Sequence, residues 1–239
     1  ALSVLHLDCP IEVVNDAVIG LVAGAAEGWG LVLVAGTGNN VRGRDRQGRQ
    51  GRVTGNGIAC GEFGGGSDMV FCAIQLVCQA WTLRGQPTAL TDAFIALTGA
   101  VDASDLIEGL VLERYHPEAD WARTIFKVAA EGDPVAQEVI AWNARELGAT
   151  AAGVIRQLDL QTETFDVVLA GSIFEGGALY LEPLRQVILQ AAPGARLVRL
   201  DAPPVVGGVL LGMEKAGLDG YPLRERLIAS ARDWLDRSE

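Results

Sequence analysis

The stretch LVLVAGTGNN, residues 31–40, leads from an apolar run into a loop that is nearly bare of side chains. The loop contains Gly36, Thr37, Gly38 and Asn39. Glycines allow a backbone to approach a ligand closely, and successive N–H groups can surround an anion. The pattern favours a phosphate-binding loop about as strongly as a plain hairpin turn. No Gly-Lys-Ser/Thr or G-x-G-x-x-G pattern follows, so both of those nucleotide-binding motifs are excluded here.

Asp16 has the residue type and the position of a general base. It follows the segment 11–14, which we predict to be a strand, and Asn15. Ligands of open α/β sheets bind outside the carboxyl ends of the strands. A carboxylate there can accept the proton of a hydroxyl that attacks a phosphoryl group. Asp is also a common helix N-cap, and position alone favours that structural role over catalysis.

Two further polar groups of residues follow apolar or glycine-rich segments. Gly171 and Ser172 come directly after FDVVLA, which we predict to be another strand. Asn56, Gly57 and Glu62 lie within a glycine-rich stretch. The Glu62 carboxylate has the chemistry to bind sugar hydroxyls or a magnesium-bound water, and a solvated loop charge is the alternative. Asn56 carries the same ambiguity.

Composition excludes several classes of protein. The chain has 239 residues, a net charge of −11 and 49% hydrophobic residues, which predicts a folded chain with a sizeable core. The acidic balance argues against a nucleic-acid partner. No apolar stretch reaches the roughly 20 residues of a membrane span. The four cysteines, at positions 9, 60, 72 and 78, lack the C-x-x-C spacing of a metal or redox site. We therefore predict no metal ligands and a reduced, cytoplasmic protein.

Strands and helices alternate along the chain, which predicts an α/β fold. Beyond the segments already named, the patterns predict a hairpin over 41–53 and a strand over 196–200. They also predict helices over 69–85, from Asp133-Pro134 onward, over 180–190, after Pro203-Pro204, and at the C-terminus. Ser67 is expected to cap the helix that follows it. Asp133 followed by proline is a strong helix start.

Together these motifs resemble a known family. The segments VVNDAVIGLVAGA, GLVLVAGTGNNVRGRDRQGR, GEFGGGS, VVLAGSIFEGG and PPVVGGVLLG are similar, in this order, to the N-acetylglucosamine kinase and BadF/BadG/BcrA/BcrD-type ATPase family. That family belongs to the actin-like, sugar kinase and Hsp70 superfamily. The resemblance implies an actin-like (ribonuclease H-like) ATPase fold, with an incomplete first lobe and a complete second lobe. It divides the chain into 1–30, the remainder of the first lobe; 31–205, the second lobe with a helical insertion; and 206–239, helices that pack back toward the first lobe.

The resemblance also implies roles for the residues singled out above. Asp16 corresponds to the catalytic base, the loop of Gly36, Thr37, Gly38 and Asn39 to a phosphate-binding loop, and Gly171 with Ser172 to the adenosine-binding turn. Asn15, Asn56, Gly57 and Glu62 fall where the kinases contact the sugar. The implied cofactors are ATP and Mg2+, the implied substrate is a small-molecule sugar, and a homodimer is the implied assembly.

The chain departs from the family pattern at two places. Kinases of the family read GDEGS where this chain reads GEFGGGS, with Glu62 in place of the aspartate and Phe63 in place of the glutamate. These changes leave the acceptor sugar open. The family's first phosphate loop, an Asp-Gly-Gly-Gly-Thr-like hairpin, is absent from the 239 residues. We therefore expect the chain to be a fragment of a longer protein, with a naturally short protein as the alternative.

Three functions remain open at this point. The first is an ATP-dependent kinase that transfers the γ-phosphoryl group to a sugar hydroxyl with Asp16 as base. The second is an ATPase of the dehydratase-activator type, which would need cysteines at a subunit interface for an iron–sulfur cluster. The third is a binding or regulatory module that keeps the fold and has lost catalysis.

Overall fold

A computed structural model describes residues 11–237 of the chain. Five strands of these residues form one mixed sheet with the order β3-β2-β1-β4-β5. Their bounds are β1 Gly30–Ala35, β2 Asn39–Arg44, β3 Gln50–Arg52, β4 Phe165–Ala170 and β5 Ala195–Arg199. The strands β1, β2 and β3 are antiparallel neighbours, whereas β4 pairs with β1 and with β5 in parallel. The carboxyl ends of β1, β4 and β5 therefore meet at one edge of the sheet.

Nine α-helices surround this sheet in the described part of the chain. Their bounds are α1 Asp16–Gly24, α2 Gly66–Trp81, α3 Leu90–Thr98, α4 Ala103–Val111, α5 Ala122–Ala130, α6 Pro134–Gln157, α7 Ala178–Ala191, α8 Pro204–Lys215 and α9 Arg224–Asp236. The longest, α6, begins as the sequence predicted, because the Asp133 side chain accepts the N–H of Ala136 and proline occupies the first helical position.

The two faces of the sheet bury alternate residues of β1. Leu31 and Leu33 belong to the main core, which also contains residues of α2, α6 and α7. Val32 points to the other face, where it packs with Leu21 of α1 and with Val168 of β4. This two-residue alternation explains why β1 reads as an unbroken apolar run, since both faces of the strand are covered.

The helix α1 also connects the sheet to the C-terminal helices. Val22 and Ala23 of α1 form a small core with Val206 of α8 and Ile228 of α9. The division of the chain at residues 30 and 205 into lobes stays a prediction. None of the helices within residues 11–237 combines the length and the apolar character that a membrane span requires.

Most predicted elements are confirmed, and two details are wrong. The strands β1 and β4, the 41–53 hairpin and the parallel strand β5 lie where the sequence placed them. The predicted strand over residues 11–14 is wrong, because these residues have no strand partner in the described structure and Val13 is 76% exposed. Ser67 does not cap α2, because the N-cap is Gly65, two residues earlier. The Asp68 carboxylate accepts the N–H groups of Gly64 and Gly65. The predictions for Cys9 and for residues 1–10 of the first-lobe segment lie outside the described residues.

Candidate functional site

Residues 36–38, which we call the glycine turn, join β1 to β2. The Gly36 N–H donates to the Gly38 carbonyl at 2.9 Å, which closes the turn. A Cβ atom added to Gly36 or Gly38 would meet no atom within 4 Å, and neither residue has a positive φ. The packing of the protein therefore does not require glycine at either position. Because these two residues have no side chains, the outer side of the turn is open space.

A cavity of about 460 Å³ lies beside the glycine turn. Its wall includes Gly36, Thr37, the start of α2, the residues around Asp120 and Arg123, and Ser172, Ile173, Glu175 and Gly176 after β4. Binding sites for small molecules commonly have volumes of about 300–1,000 Å³. The cavity is therefore large enough for a nucleotide-sized ligand, and one side of it is the bare backbone of the turn.

Gly171 is a position that the fold does restrict to glycine. It has a φ of +116°, and a Cβ atom there would lie 2.0 Å from the carbonyl oxygen of Ala35. The chain leaving β4 thus passes directly against the end of β1, and Ser172 follows in the cavity wall. The Arg199 guanidinium donates to the Gly171 carbonyl at 3.3 Å and lies over the Phe174 ring. These contacts fix the 171–174 turn at the edge of the cavity.

Asn15 and Asp16 lie at the N-terminus of α1, close to the start of β2. Asn15 is the N-cap, and its Oδ1 accepts the Ala17 N–H at 3.1 Å. The same Oδ1 accepts the side-chain N–H of Asn40 at 2.9 Å, which ties the N-terminus of α1 to the residues just after the glycine turn. Asp16 is exposed, and its Oδ1 accepts the Ala17 N–H at 2.9 Å.

The Glu62 carboxylate organises its own loop. It accepts the backbone N–H groups of Thr54, Gly55 and Asn56 at 2.5, 2.8 and 3.1 Å. Partial burial opposes ionisation of this carboxyl, but the N–H donors, first among them Thr54, outweigh it and hold its pKa below the usual range. Asn39 adds a second link, because its side-chain amide donates to the Glu62 carbonyl at 3.1 Å. The loop is thereby fastened to the end of the glycine turn.

Of the six residues predicted to bind the nucleotide, Gly36, Thr37 and Ser172 line the cavity. Gly38, Asn39 and Gly171 are their neighbours in the chain and are not part of the lining. The residues with predicted roles toward the sugar lie outside the lining of that cavity, on α1 and on the exposed loop that contains Gly57, a residue with a φ of +55°. The N-terminus of α1 and the exposed loop are each tied to the first residues of β2, through Asn40 and Asn39 respectively. Their roles in binding and catalysis stay predictions.

Three charged residues of the cavity wall were not predicted from the sequence. They are Asp120, Arg123 and Glu175. All three side chains are exposed, as most charged side chains of a folded protein are. No spacing pattern in the sequence distinguishes them from other surface charges. Only the folding of the 119–126 segment against the end of β4 brings them together.

The described residues contain no ready-made cluster of metal ligands. Within residues 11–237, no group of three or more His, Cys, Asp or Glu side chains is placed to hold a metal ion. Mg2+ in kinases typically takes one or two carboxylates together with phosphate oxygens and water. Of the cysteines within this range, Cys60 is exposed, and burial raises the pKa of the half-buried Cys72 thiol to about 11 and also raises that of Cys78.

Comparison with known proteins agrees with the fold and the motifs. The model of the BadF/BadG/BcrA/BcrD ATPase family matches residues 6–212. An N-acetylmuramic acid/N-acetylglucosamine kinase of Clostridium acetobutylicum is 25% identical over 203 residues, which cover 84% of this chain and 66% of the relative. An N-acetyl-D-glucosamine kinase of Dictyostelium discoideum is 26% identical over 204 residues, 83% of this chain and 64% of the relative.

Solved structures show the same architecture. A proposed N-acetylglucosamine kinase from Chromobacterium violaceum has a TM-score of 0.60 and 26% identity, over 83% of this chain and 64% of that one. A ROK family glucokinase from Streptomyces griseus, solved with glucose and AMPPNP, has a TM-score of 0.50 and 20% identity, over 82% and 64%. The predicted α/β fold, that of the actin-like sugar kinases, is confirmed.

The matched region spans slightly less than two thirds of the length of the two curated relatives. The family match extends over most of the chain and includes the glycine turn, the triple glycine before α2 and the turn after β4. On this match, the chain belongs to the BadF/BadG/BcrA/BcrD ATPase family.

Proposed function

We propose that this chain carries the nucleotide-binding site of a kinase that transfers the γ-phosphoryl group of ATP to a sugar hydroxyl, in the manner of an N-acetylglucosamine kinase. The observation that carries the proposal is the glycine turn. Its two glycines are not required by the packing of the protein, and the turn borders a cavity of about 460 Å³. The two curated relatives, both named as kinases of amino sugars, support the same reaction.

The cavity and the turn would hold opposite ends of the nucleotide. The adenosine would lie against Gly171 and Ser172, and the phosphates against the turn and Asn39. The helix α2 begins directly behind the turn, since the N–H groups of Gly66 and Ser67 donate to the carbonyls of Gly36 and Thr37. The positive end of the α2 dipole thus favours negative charge on the outer side of the turn.

Asp16 is the group that we assign as general base. In the reaction, a sugar oxygen forms a bond to the γ-phosphorus while the bond from that phosphorus to the β-phosphate oxygen breaks, and ADP leaves. The hydroxyl proton passes to the Asp16 carboxylate. Asn15, Asn56, Gly57 and Glu62 would lie around the sugar, with Glu62 acting chiefly by keeping the 54–56 backbone in place. Mg2+, when bound with ATP, would offset the phosphate charge.

The substrate class is a hexose or amino sugar, and the identity of the acceptor is left to experiment. A homodimer and a cytoplasmic location are predictions that accompany the proposal. The dehydratase-activator and regulatory alternatives are less well supported, because the curated relatives are kinases of amino sugars.

The test is sugar-dependent ADP release by the full-length gene product, compared between wild type and Asp16→Asn. We expect Asp16→Asn to lower kcat by at least about 100-fold, as loss of a general base does, while ATP affinity stays within about twofold. Asp92→Asn is a matched control, since Asp92 is also an exposed acidic residue in the first turn of a nine-residue helix. It should behave as wild type.

Each alternative predicts a different result. ADP release that does not depend on sugar would favour the ATPase reading. Absence of nucleotide binding in the wild type would favour a regulatory module. Full turnover by Asp16→Asn would contradict the assignment of Asp16 as base.

A further inference from the structure

The segment Gly64, Gly65 and Gly66 presses directly against the glycine turn. A Cβ atom on Gly65 would lie 2.6 Å from the Gly38 Cα and 2.8 Å from the Thr37 carbonyl oxygen. The Gly66 N–H donates to the Gly36 carbonyl at 2.8 Å, and the Ser67 N–H donates to the Thr37 carbonyl at 2.9 Å. The position of the turn therefore depends on the position of this triple-glycine segment.

The backbone of the triple-glycine segment is itself held by side chains. The Asp68 carboxylate accepts the N–H groups of Gly64 and Gly65 at 3.1 and 2.9 Å. The Tyr180 hydroxyl lies 3.1 Å from the Gly64 carbonyl oxygen, and the Asn143 amide donates to the Gly65 carbonyl at 3.1 Å. All four polar backbone groups of these two glycines therefore have partners.

Asn143 and Tyr180 make this support rigid. Both are fully buried, and the Tyr180 hydroxyl also lies 3.1 Å from Oδ1 of Asn143. They come from two long helices of the main core, α6 and α7. A buried polar group is costly unless it is paired, so the pair permits few positions for the glycine carbonyls that it contacts.

Tyr180 also connects the segment to the other end of the cavity. Its ring packs against Phe174, in the turn after β4, with ring centroids 5.9 Å apart, and against Phe126 of the cavity wall at 6.4 Å. One buried side chain thus contacts the support of the glycine turn through its hydroxyl and the 171–176 turn through its ring.

We propose that Asn143 and Tyr180 are positioning residues that set the phosphate-binding geometry of the glycine turn, acting through the carbonyls of Gly64 and Gly65. They touch no ligand themselves. The consequence for nucleotide binding rests on the function proposed above, whereas the consequence for the backbone of the turn does not.

The test compares Tyr180→Phe with Tyr221→Phe. Both substitutions remove one buried hydroxyl, but residues 11–237 offer the Tyr221 hydroxyl no hydrogen-bond partner, and Tyr221 lies near Gly28 at a different surface. We expect Tyr180→Phe to weaken MgAMP-PNP binding about tenfold, because a buried carbonyl loses its donor, and Tyr221→Phe to leave affinity unchanged. Ile188→Val, a cavity variant of α7, controls for a general loss of stability.

Amide hydrogen exchange without nucleotide supplies a second and independent readout. In Tyr180→Phe, the peptide that contains Gly66 and Ser67 should exchange faster, while β4 and the C-terminal half of α7 keep wild-type rates. Asn143→Leu, which is similar in shape but cannot hydrogen-bond, should give the same local pattern.

The outcomes separate the two proposals. Unchanged exchange at Gly66 and Ser67, or faster exchange spread evenly over the sheet, would overturn the positioning role. Weaker binding in Ile188→Val equal to that in Tyr180→Phe would also overturn it. A wild type that binds no nucleotide would refute the proposed function, and the exchange rates would still decide the role of the buried pair.

Discussion

The glycines of the site fall into two kinds at the scale of single residues. Gly65 and Gly171 are required by the protein itself, since a Cβ atom on either would overlap backbone atoms at 2.6 and 2.0 Å. Gly36 and Gly38 have open space around them. Where the fold does not require a glycine, the simplest explanation is that the missing side chain leaves space for a ligand.

This difference predicts opposite behaviour for two alanine substitutions. Gly36→Ala should leave the free energy of unfolding unchanged or raise it by up to about 1 kcal/mol, because it restricts only the unfolded chain. It should nevertheless weaken ATP binding, since the new methyl group occupies the ligand side of the turn. Gly65→Ala should lower the free energy of unfolding by about 1–3 kcal/mol through overlap with Gly38.

Urea denaturation and calorimetric ATP titration measure the two quantities separately. If Gly36→Ala bound ATP as tightly as wild type, the phosphates would have to lie elsewhere. If Gly65→Ala lost no stability, the close contact between the triple-glycine segment and the turn would be wrong.

Several elements could be predicted from the sequence because their signals are local. The apolar runs of β1 and β4, and the cap formed by Asp133 with Pro134, depend on residues adjacent in the chain. The strand predicted over 11–14 was wrong because β-branched residues mark a strand only where a partner strand exists. The contact between Asn143 and Tyr180 was not foreseen, since residues on two different helices meet only in the folded core.

The loop 54–62 is an element whose shape depends on one ionised side chain. The folded pKa of Glu62 lies below its ordinary value of 4.5, so its stabilising contribution is present above the unfolded pKa. It is lost as the pH falls through the lower folded value. We expect Glu62→Gln to destabilise the protein at pH 7, with the difference from wild type shrinking as the pH falls below 4.5.

The measurement is urea denaturation of both proteins between pH 7 and pH 3. Glu131→Gln, at the exposed C-cap of α5, provides a control for the loss of one carboxylate charge. A difference between Glu62→Gln and wild type that stays constant over this range would show that the carboxylate charge does not hold the loop.

At the scale of the whole molecule, the charge of −11 opposes the binding of a polyanion. The Asp120 and Glu175 carboxylates of the cavity wall add to this repulsion, so local compensation in the described structure comes from the N-terminus of α2 and from Arg123. Neither equals the charge of a triphosphate. The remainder would have to come from a divalent cation bound with the nucleotide.

Thermal unfolding in the presence of ATP or adenosine, each with and without Mg2+, tests this charge argument. We expect MgATP at 100 times its Kd to stabilise the protein by about 2.7 kcal/mol. The same ATP concentration in EDTA should raise the Tm much less. Adenosine is the control because it carries no phosphate. Any change in Tm that adenosine causes should therefore be the same with and without EDTA. Equal shifts for ATP with and without Mg2+ would contradict the need for the cation.

The pairing of β1 with β4 has a consequence for how the protein is made. The register sets Gly30 beside Asp166 and Val34 beside Ala170, so the central strand pairs with a segment that is synthesised only after α2 to α6. Contacts between such distant segments fold slowly. During translation, the β1–β2–β3 meander presents one unpaired apolar edge, a surface to which other chains can add. The strand that ends at the glycine turn therefore stays open to pairing with other chains until β4 has been made.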